Sequence, residues 1–273
     1  MLREATKEAF EKWKSARGYA KIEMQGELLA LITRLRQTSC AHYMYSDEMP
    51  TAEQLYDRCA KIKAVVDRII ETFDTGFDHR VLFFSNYPKF MEMVSKCVDS
   101  KRPGLMKSLF YTGSTKKQER VANVTDFQSK CPANRVMFVT LAAGGCGLNL
   151  MAARTVIISD PWFNPFLEDQ AIARAHRIGQ MRDVHMFRYI MENSIETWIQ
   201  KLHDKKRMVA GVAGLIEAKS LPKDFSMKDL KELFLDTVST GGELAIEQRK
   251  AKLTEQERKM AKKAEAAAER KAE

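Results

Sequence analysis

The amino-acid sequence predicts an α/β protein: a parallel sheet with helices on both faces, extended by helical segments at its N- and C-terminal ends. Two observations carry this expectation. Five short apolar runs, Val81–Phe84, Ser108–Tyr111, Val136–Val139, Thr155–Ile158 and Val184–Phe187, are each bounded by turn residues or helical patterning. Strands that are apolar on both sides belong to parallel sheets covered by helices, because a sheet with one wet face alternates instead. The flanks before Thr51 and after Ser194 carry helical periodicity without such runs.

Each element follows from local pattern. In residues 1–40, Leu28, Leu29, Leu31, Ile32 and Leu35 recur at helical spacing among charged residues. A break follows at Ser46-Asp-Glu-Met-Pro50. Thr51 then caps one long helix whose stripe is Leu55, Cys59, Ile62, Val65, Val66, Ile69 and Ile70, closed by Gly76. After the five strand runs, Ile195, Trp198, Ile199 and Leu202 share one helical face, and a short helix is expected over 228–235. The segment 246–273 holds 9 Lys+Arg and 6 Asp+Glu in 28 residues, which reads as a solvated extension.

Composition bounds the function. With 273 residues, 45% hydrophobic and 30% charged, the chain can bury a real core, and its 14 Phe and 3 Trp exclude a wholly disordered protein. No stretch approaches the ~20 apolar residues of a membrane span, and the charged start MLREATKEAFEKWK shows no secretory signal. The five scattered cysteines, Cys40, Cys59, Cys97, Cys131 and Cys146, form no CxxC pair, which argues for a reducing interior and against a disulfide framework or a zinc site. A net charge of +9 is compatible with an anionic partner.

Three stretches at strand ends carry candidate chemistry. Thr140-Leu-Ala-Ala-Gly-Gly-Cys-Gly-Leu-Asn-Leu150 is glycine-rich and fits neither GxGxxG nor GxxxxGK[ST]; it is either a phosphate-approaching loop or a tight turn. In Ser159-Asp-Pro-Trp-Phe-Asn-Pro165, Trp162 and Phe163 either shape a surface or plug the core edge. In Gln170-Ala-Ile-Ala-Arg-Ala-His-Arg-Ile-Gly-Gln180, helical spacing puts Gln170, Arg174 and Arg177 on one face, with Ile172 and Ala175 available for packing. Two arginines one turn apart repel unless an anion lies before them, the arrangement phosphoryl transfer uses, although a solvated basic face has the same spacing. His176 reads as a packing or hydrogen-bonding residue.

In this order and spacing, the three stretches resemble motifs V, Va and VI of the Swi/Snf-type branch of superfamily II helicases. Upstream, Val81-Leu-Phe-Phe-Ser-Asn-Tyr87 is similar to motif IV, Tyr111-Thr-Gly-Ser114 with Arg120 and Phe127 to the next block, and Arg34-Leu-Arg-Gln-Thr-Ser-Cys-Ala-His42 to the element leading into the second lobe. Phe187–Ile190 and Ser194–Ile199 resemble the last strand and a brace helix. Four positions depart from the family pattern: Ala142 where motif V usually has a base, Asn86 for Gln, Thr112 for Asp and Tyr43 for Pro.

The resemblance implies a second, C-terminal RecA-like lobe. It divides the chain into a helical linker or protrusion (1–76), the lobe (77–213), a brace or short-helix segment (214–242) and a charged helical or disordered tail (243–273). Arg174 and Arg177 would be arginine fingers and Gln170 a nucleotide contact. Gly145, Gly147 and Asn149 would line the nucleotide. Ser85, Asn86, Gly113, Ser114, Thr140, Trp162 and Asn164 would face DNA or the lobe interface. The implied cofactors are ATP and Mg²⁺, held only at the interface with a first RecA-like lobe, whose P-loop and Asp-Glu motif are absent from this sequence. The implied partners are that first lobe, in another chain or a missing segment, and double-stranded DNA, with no membrane. The implied location is intracellular, in the nucleus or another DNA-containing compartment such as a viral factory, and not secreted. The chain alone is expected not to hydrolyse ATP. A non-catalytic DNA-binding or regulatory module, or the remnant of a split or truncated helicase, is the alternative reading.

Overall fold

A five-stranded sheet organises the described residues of the computed structural model. The strands are β1 (Arg80–Ser85), β2 (Lys107–Tyr111), β3 (Arg135–Thr140), β4 (Thr155–Ile158) and β5 (His185–Arg188), all parallel in the order β2-β3-β1-β4-β5. The structure describes residues 2–213 apart from 16, 18, 47–48, 76–79, 131–132, 145–149 and 178. The chain divides into two units, Met1–Phe225 and Ser226–Glu273, and every described residue lies in the first. The helix expected at 228–235 and the charged tail fall outside the described residues. No described helix is long and apolar enough to cross a membrane.

Side chains on a strand alternate between faces, so a continuous apolar run feeds two cores. Val81, Phe83, Val136, Phe138 and Ile157 share one cluster, while Leu82, Phe84, Met137, Val139, Val156 and Ile158 belong to the other. The first is closed by α3 (Ala52–Arg58), α4 (Ala60–Asp74) and α5 (Pro88–Lys101), through Leu55, Ile62, Val65, Val66, Ile69, Phe90 and Val94. Phe127 of α6 (Lys117–Gln128) and Ala171 of α8 (Pro165–Ile172) close the second, with Leu150, Ala153 and Ala175. The short α7 (Leu141–Gly144) follows β3 directly.

The apolar stripe expected after Thr51 is buried, but it belongs to two helices. Cys59, at φ −116° and ψ 95°, is extended and separates α3 from α4. Thr51 caps α3 through a capping box: its hydroxyl accepts from Gln54 N, and the Gln54 side chain accepts from Thr51 N. Helices α3 and α4 form a layer on the sheet and share one core with β1, β3 and α5. The N-terminal helices α1 (Leu2–Ser15) and α2 (Tyr19–Cys40) lie against each other, burying Phe10, Trp13, Leu28 and Ile32. Helix α9 (Ile195–Ala213) buries the expected face of Ile195, Trp198, Ile199 and Leu202.

This topology fixes where a ligand meets the sheet. From the central β1 the chain runs first to β2 and β3 on one side, then to β4 and β5 on the other. Open parallel sheets bind ligands beyond the carboxyl ends of the strands at such a switch point. The register sets Ser85 opposite Thr140, and Phe84 opposite Ile158, so the ends of β1, β3 and β4 lie level.

Candidate functional site

Asp160 joins the ends of β1 and β4. Only 1% exposed, its carboxylate accepts from Ser159 Oγ at 2.7 Å and Asn86 N at 3.0 Å, and also from Ser85 Oγ and Asn86 Nδ2. The Ser85 hydroxyl in turn accepts from Tyr87 N at 3.1 Å. Ser85 is therefore fully buried and committed to this cluster, while Asn86 is half-buried beside it. Hydrogen bonds to an ionised acceptor are the stronger kind, so the strand ends are held firmly together.

The loop Ser159–Phe163 is held from several helices at once. Lys61 Nζ of α4 donates to Ser159 O at 2.8 Å, and Arg36 Nη2 of α2 to Pro161 O at 2.9 Å. Trp162 N donates to Glu168 Oε1 at 2.9 Å, and Lys206 Nζ to Phe163 O at 3.0 Å, while His203 Nε2 bonds Trp162 O. Trp162 is half-buried and packs on the second core cluster, so it plugs the core edge and still reaches the surface. Asn164, 5% exposed, spends its side chain capping α8 by accepting from Phe166 N at 3.1 Å.

Two buried carboxylates support this loop. Glu196 of α9 lies 2.6 and 2.5 Å from Lys61 Nζ and accepts from Met191 N at 2.8 Å. Burial pushes its carboxyl above the usual range, with Lys61 opposing. Glu168 is fully buried with Arg188 Nη2 at 2.9 Å, and burial likewise pushes its carboxyl up. His203 is pushed down to about 4 by burial, so its imidazole is neutral beside Glu168.

The loop after β2 is more open. Thr112 is buried, its hydroxyl sharing hydrogen bonds with Ser114 Oγ and Thr115 Oγ1 at 3.0 Å each. Gly113 and Ser114 are exposed, and Arg120 Nη2 donates to Gly113 O at 2.8 Å. The exposed Lys116 and Lys117 follow at the start of α6. Thr140, half-buried, ends β3.

The arginine segment departs from its expected shape. Helix α8 ends at Ile172, and Arg174 and Arg177 sit in the turn beyond it rather than on one helix face with Gln170. Tertiary bonds redirect the chain: Arg174 O accepts from Leu150 N at 3.0 Å, and Gln180 Nε2 donates to Met151 O at 2.7 Å and Ala153 O at 3.3 Å. Gly179, at φ +101°, supplies a left-handed conformation that a side chain resists. Ala175 is fully buried and Ile172 partly, as expected for packing. Arg174 is half-buried, Arg177 and Gln170 exposed, and His176 is exposed rather than packed. Arg177 lines an open hollow of about 360 Å³ with His176, Gln180, Arg182 and Asp183. Gly145, Gly147 and Asn149 lie outside the described residues.

Asp160, Lys61, Glu168, Glu196 and His203 were not among the sequence candidates. A signal existed for two of them. Lys61 sits four residues before Val65 in an apolar stripe, and Glu196 three before Ile199. Among the described residues no group of three or more His, Cys, Asp or Glu is placed to hold a metal. The arginine turn has the donor chemistry for phosphate oxygens, and Mg²⁺ would need carboxylates from elsewhere.

Strand order, level strand ends and loops along one carboxyl edge define a RecA-like lobe. Residues 60–179 match the family described as helicase conserved C-terminal domain. Among curated proteins the chain is similar to an uncharacterized ATP-dependent helicase of Schizosaccharomyces pombe, 36% identical over 178 residues, covering 64% of this chain and 16% of that protein. It is also similar to the DNA repair protein rad8 of the same yeast (30% over 174 residues, 64% and 15% covered) and to RAD5 of Saccharomyces cerevisiae (31% over 154 residues, 56% and 13%). The chain thus spans 13–16% of the length of these relatives. Its fold is shared with the Sulfolobus solfataricus SWI2/SNF2 ATPase C-terminal domain (TM-score 0.55, 22% identity, 76% of this chain and 79% of that chain). The core of that ATPase in complex with dsDNA shares it too (TM-score 0.60, 23% identity, 77% and 41%). The chain thus carries a helicase C-terminal domain, is similar in sequence to part of each of these helicase and DNA repair proteins, and shares the RecA-like fold of the SWI2/SNF2 ATPase C-terminal domain.

Proposed function

We propose that this lobe works as half of a DNA-dependent ATPase that translocates on double-stranded DNA, in chromatin remodelling or DNA repair. It presents Arg174 and Arg177 to a nucleotide whose P-loop and Mg²⁺ carboxylates come from a first lobe. Bound there, ATP with Mg²⁺ supplies the phosphoryl group that is transferred to water. The observation that carries the reading is the arginine turn. Leu150, which closes the glycine-rich loop, is hydrogen-bonded to Arg174, and Gln180 ties the same turn to Met151 and Ala153, leaving Arg177 exposed. A guanidinium held on a braced turn loses little reorganisation energy on meeting developing phosphoryl charge. Gln170, exposed at the end of α8, lies on the same side of that turn in sequence, and Gly145, Gly147 and Asn149 would line the nucleotide.

The DNA face of the reading is the carboxyl edge, with Gly113, Ser114, Asn86, Thr140 and Trp162. Gly113 supports it: its φ is not positive and a Cβ there meets nothing within 4 Å, so the fold itself does not require glycine. Ser85 and Asn164 would act from beneath, by fixing the loops. Contacts of this kind position a protein on phosphates and carry little sequence information.

The test is reconstitution with a first lobe of this family. Arg177→Ala should lower DNA-stimulated ATP turnover by about 10³-fold or more, with the variant still folded. Unchanged turnover in Arg177→Ala refutes the assignment.

A further inference from the structure

We propose that Arg36, His203 and Lys206 are positioning residues: from α2 and α9 they hold the main chain of Ser159–Phe163 and so set the pose of Trp162 at the carboxyl edge. Ser159, Asp160 and Pro161 are buried and Trp162 and Phe163 half-buried, so their main chain needs partners within the protein. Here the carbonyls of Ser159, Pro161, Trp162 and Phe163 are taken by Lys61, Arg36, His203 and Lys206, from positions 98, 125, 41 and 43 residues away in sequence. The amide of Trp162 is taken by Glu168, so both polar main-chain groups of that residue are fixed.

Arg36 does more than donate one hydrogen bond. At 6% exposure, its guanidinium carbon lies 4.6 Å from the Phe163 ring centroid, 5.3 Å from Trp162 and 5.7 Å from Tyr87. A cation among aromatic faces is attracted to each of them, so α2 grips the side chains of the loop as well as its backbone. His203 is 1% exposed, and Lys206 sits one turn further along α9, reaching the next carbonyl. Two elements that flank the sheet in sequence thus converge on one five-residue segment. That segment reaches Ser85 and Asn86 through Asp160.

The functional consequence rests on the DNA-facing role proposed for this edge; the positioning itself does not. The experiment uses the full chain carrying 5-fluorotryptophan, with the Trp162 fluorine resonance assigned by Trp162→Phe and Trp13, in α1, as the control. Lys206→Met and His203→Ala should each shift the Trp162 resonance and make that ring more accessible to acrylamide, leaving Trp13 unmoved. Lys206→Arg and His203→Gln, which keep a donor, should restore the wild-type signal. Affinity for a short DNA duplex at low salt should fall roughly fivefold in the first pair, the loss expected for about one hydrogen bond, and recover in the second. Lys206 is half-buried on α9, so Lys206→Met reports even where His203→Ala fails to fold. A Trp162 resonance unmoved in Lys206→Met overturns the positioning role, whatever the duplex affinity. A resonance that moves and is restored, with duplex affinity constant throughout, supports the positioning role and overturns the DNA-facing reading of this edge.

Discussion

Replacing Lys61 by Met separates the charge of a buried pair from its volume. Lys61 Nζ is 2.6 and 2.5 Å from the two Glu196 oxygens, and the two side chains are 2% and 1% exposed. Methionine fills the space of the lysine stem, so little cavity forms. What remains is a buried carboxylate whose other donor is Met191 N, and a Ser159 carbonyl that has lost Lys61. Breaking a buried pair from one side costs about 3–5 kcal/mol. At a urea m-value of about 2 kcal/mol/M, the unfolding midpoint falls by about 2 M. Adding Glu196→Gln removes the stranded charge and keeps an oxygen for Met191 N. The double variant should lose only about 1–3 kcal/mol, the penalty of one unpaired carbonyl. The pH dependence has a definite sign. Burial already raises the Glu196 carboxyl and Lys61 lowers it, so without Lys61 it titrates higher still. A carboxyl raised in the folded state contributes stability below its unfolded pKa and loses it as pH rises through the folded pKa. The deficit of Lys61→Met should therefore be smaller at about pH 5 than at about pH 8. Urea unfolding followed by circular dichroism measures this. A deficit below about 1 kcal/mol, one equal at both pH values, or a double variant no better than the single refutes the reasoning.

His203, held down to about 4 in the folded state against 6.5 for a free histidine, binds fewer protons folded than unfolded between those values, so stability should rise with pH across that window. The raised Glu168 carboxyl works in the opposite direction, and His203→Gln isolates the histidine by flattening the rise in urea midpoints measured across the range. Gly113→Ala should leave the melting temperature unchanged or raise it, since a Gly→Ala change at a compatible site stabilises by about 0.4–1 kcal/mol. The same variant should weaken duplex binding, and an unaltered affinity in a fluorescence anisotropy titration would remove Gly113 from the interface. For the isolated lobe, the slope of log affinity against log salt should be about −2 to −3, the signature of two or three phosphate contacts, and a slope near −8 would mean that most of the surface charge is engaged.

How far the sequence could be read depends on whether the responsible forces are local. β1, β3 and β4 were legible because an apolar run on a central parallel strand reports its own burial, whereas the edge strands β2 and β5, partly or largely exposed, were legible from the run alone. The Thr51 cap was legible because Thr51 and Gln54 are three residues apart and satisfy each other. The split at Cys59 was not, since α3 and α4 continue one apolar stripe and only the backbone angle of one residue parts them. The arginine turn failed as a helix for a related reason. Its spacing was helical, but Leu150 N takes the Arg174 carbonyl, and the carbonyls of Met151 and Ala153 hold the Gln180 side chain, from more than 20 residues away in sequence. The site shows the same division. The proposed role of Arg177 comes from a short motif, whereas Asp160, Glu168 and His203 acquire their contacts only when distant segments meet.

The net charge of +9 is a poor measure of what this lobe offers an anion, because several cations near its carboxyl edge are already committed. Lys61 holds Glu196 and Ser159 O, Arg36 holds Pro161 O, Lys206 holds Phe163 O, and Arg188 holds Glu168. A cation whose donors are spent on buried acceptors has exchanged its hydration for protein, and moving it to a phosphate would strand those acceptors at a cost of about 1–3 kcal/mol each. Phosphate contacts must then come from exposed groups such as Lys116, Lys117 and Arg177, and Arg177 is assigned above to a nucleotide rather than to DNA. The committed cations contribute differently. By holding backbone carbonyls they keep the edge loops in place before any ligand arrives, which lowers the ordering cost of binding instead of adding attraction. Substituting them should accordingly change the affinity of the edge without changing its salt dependence, whereas substituting Lys116 or Lys117 should change both.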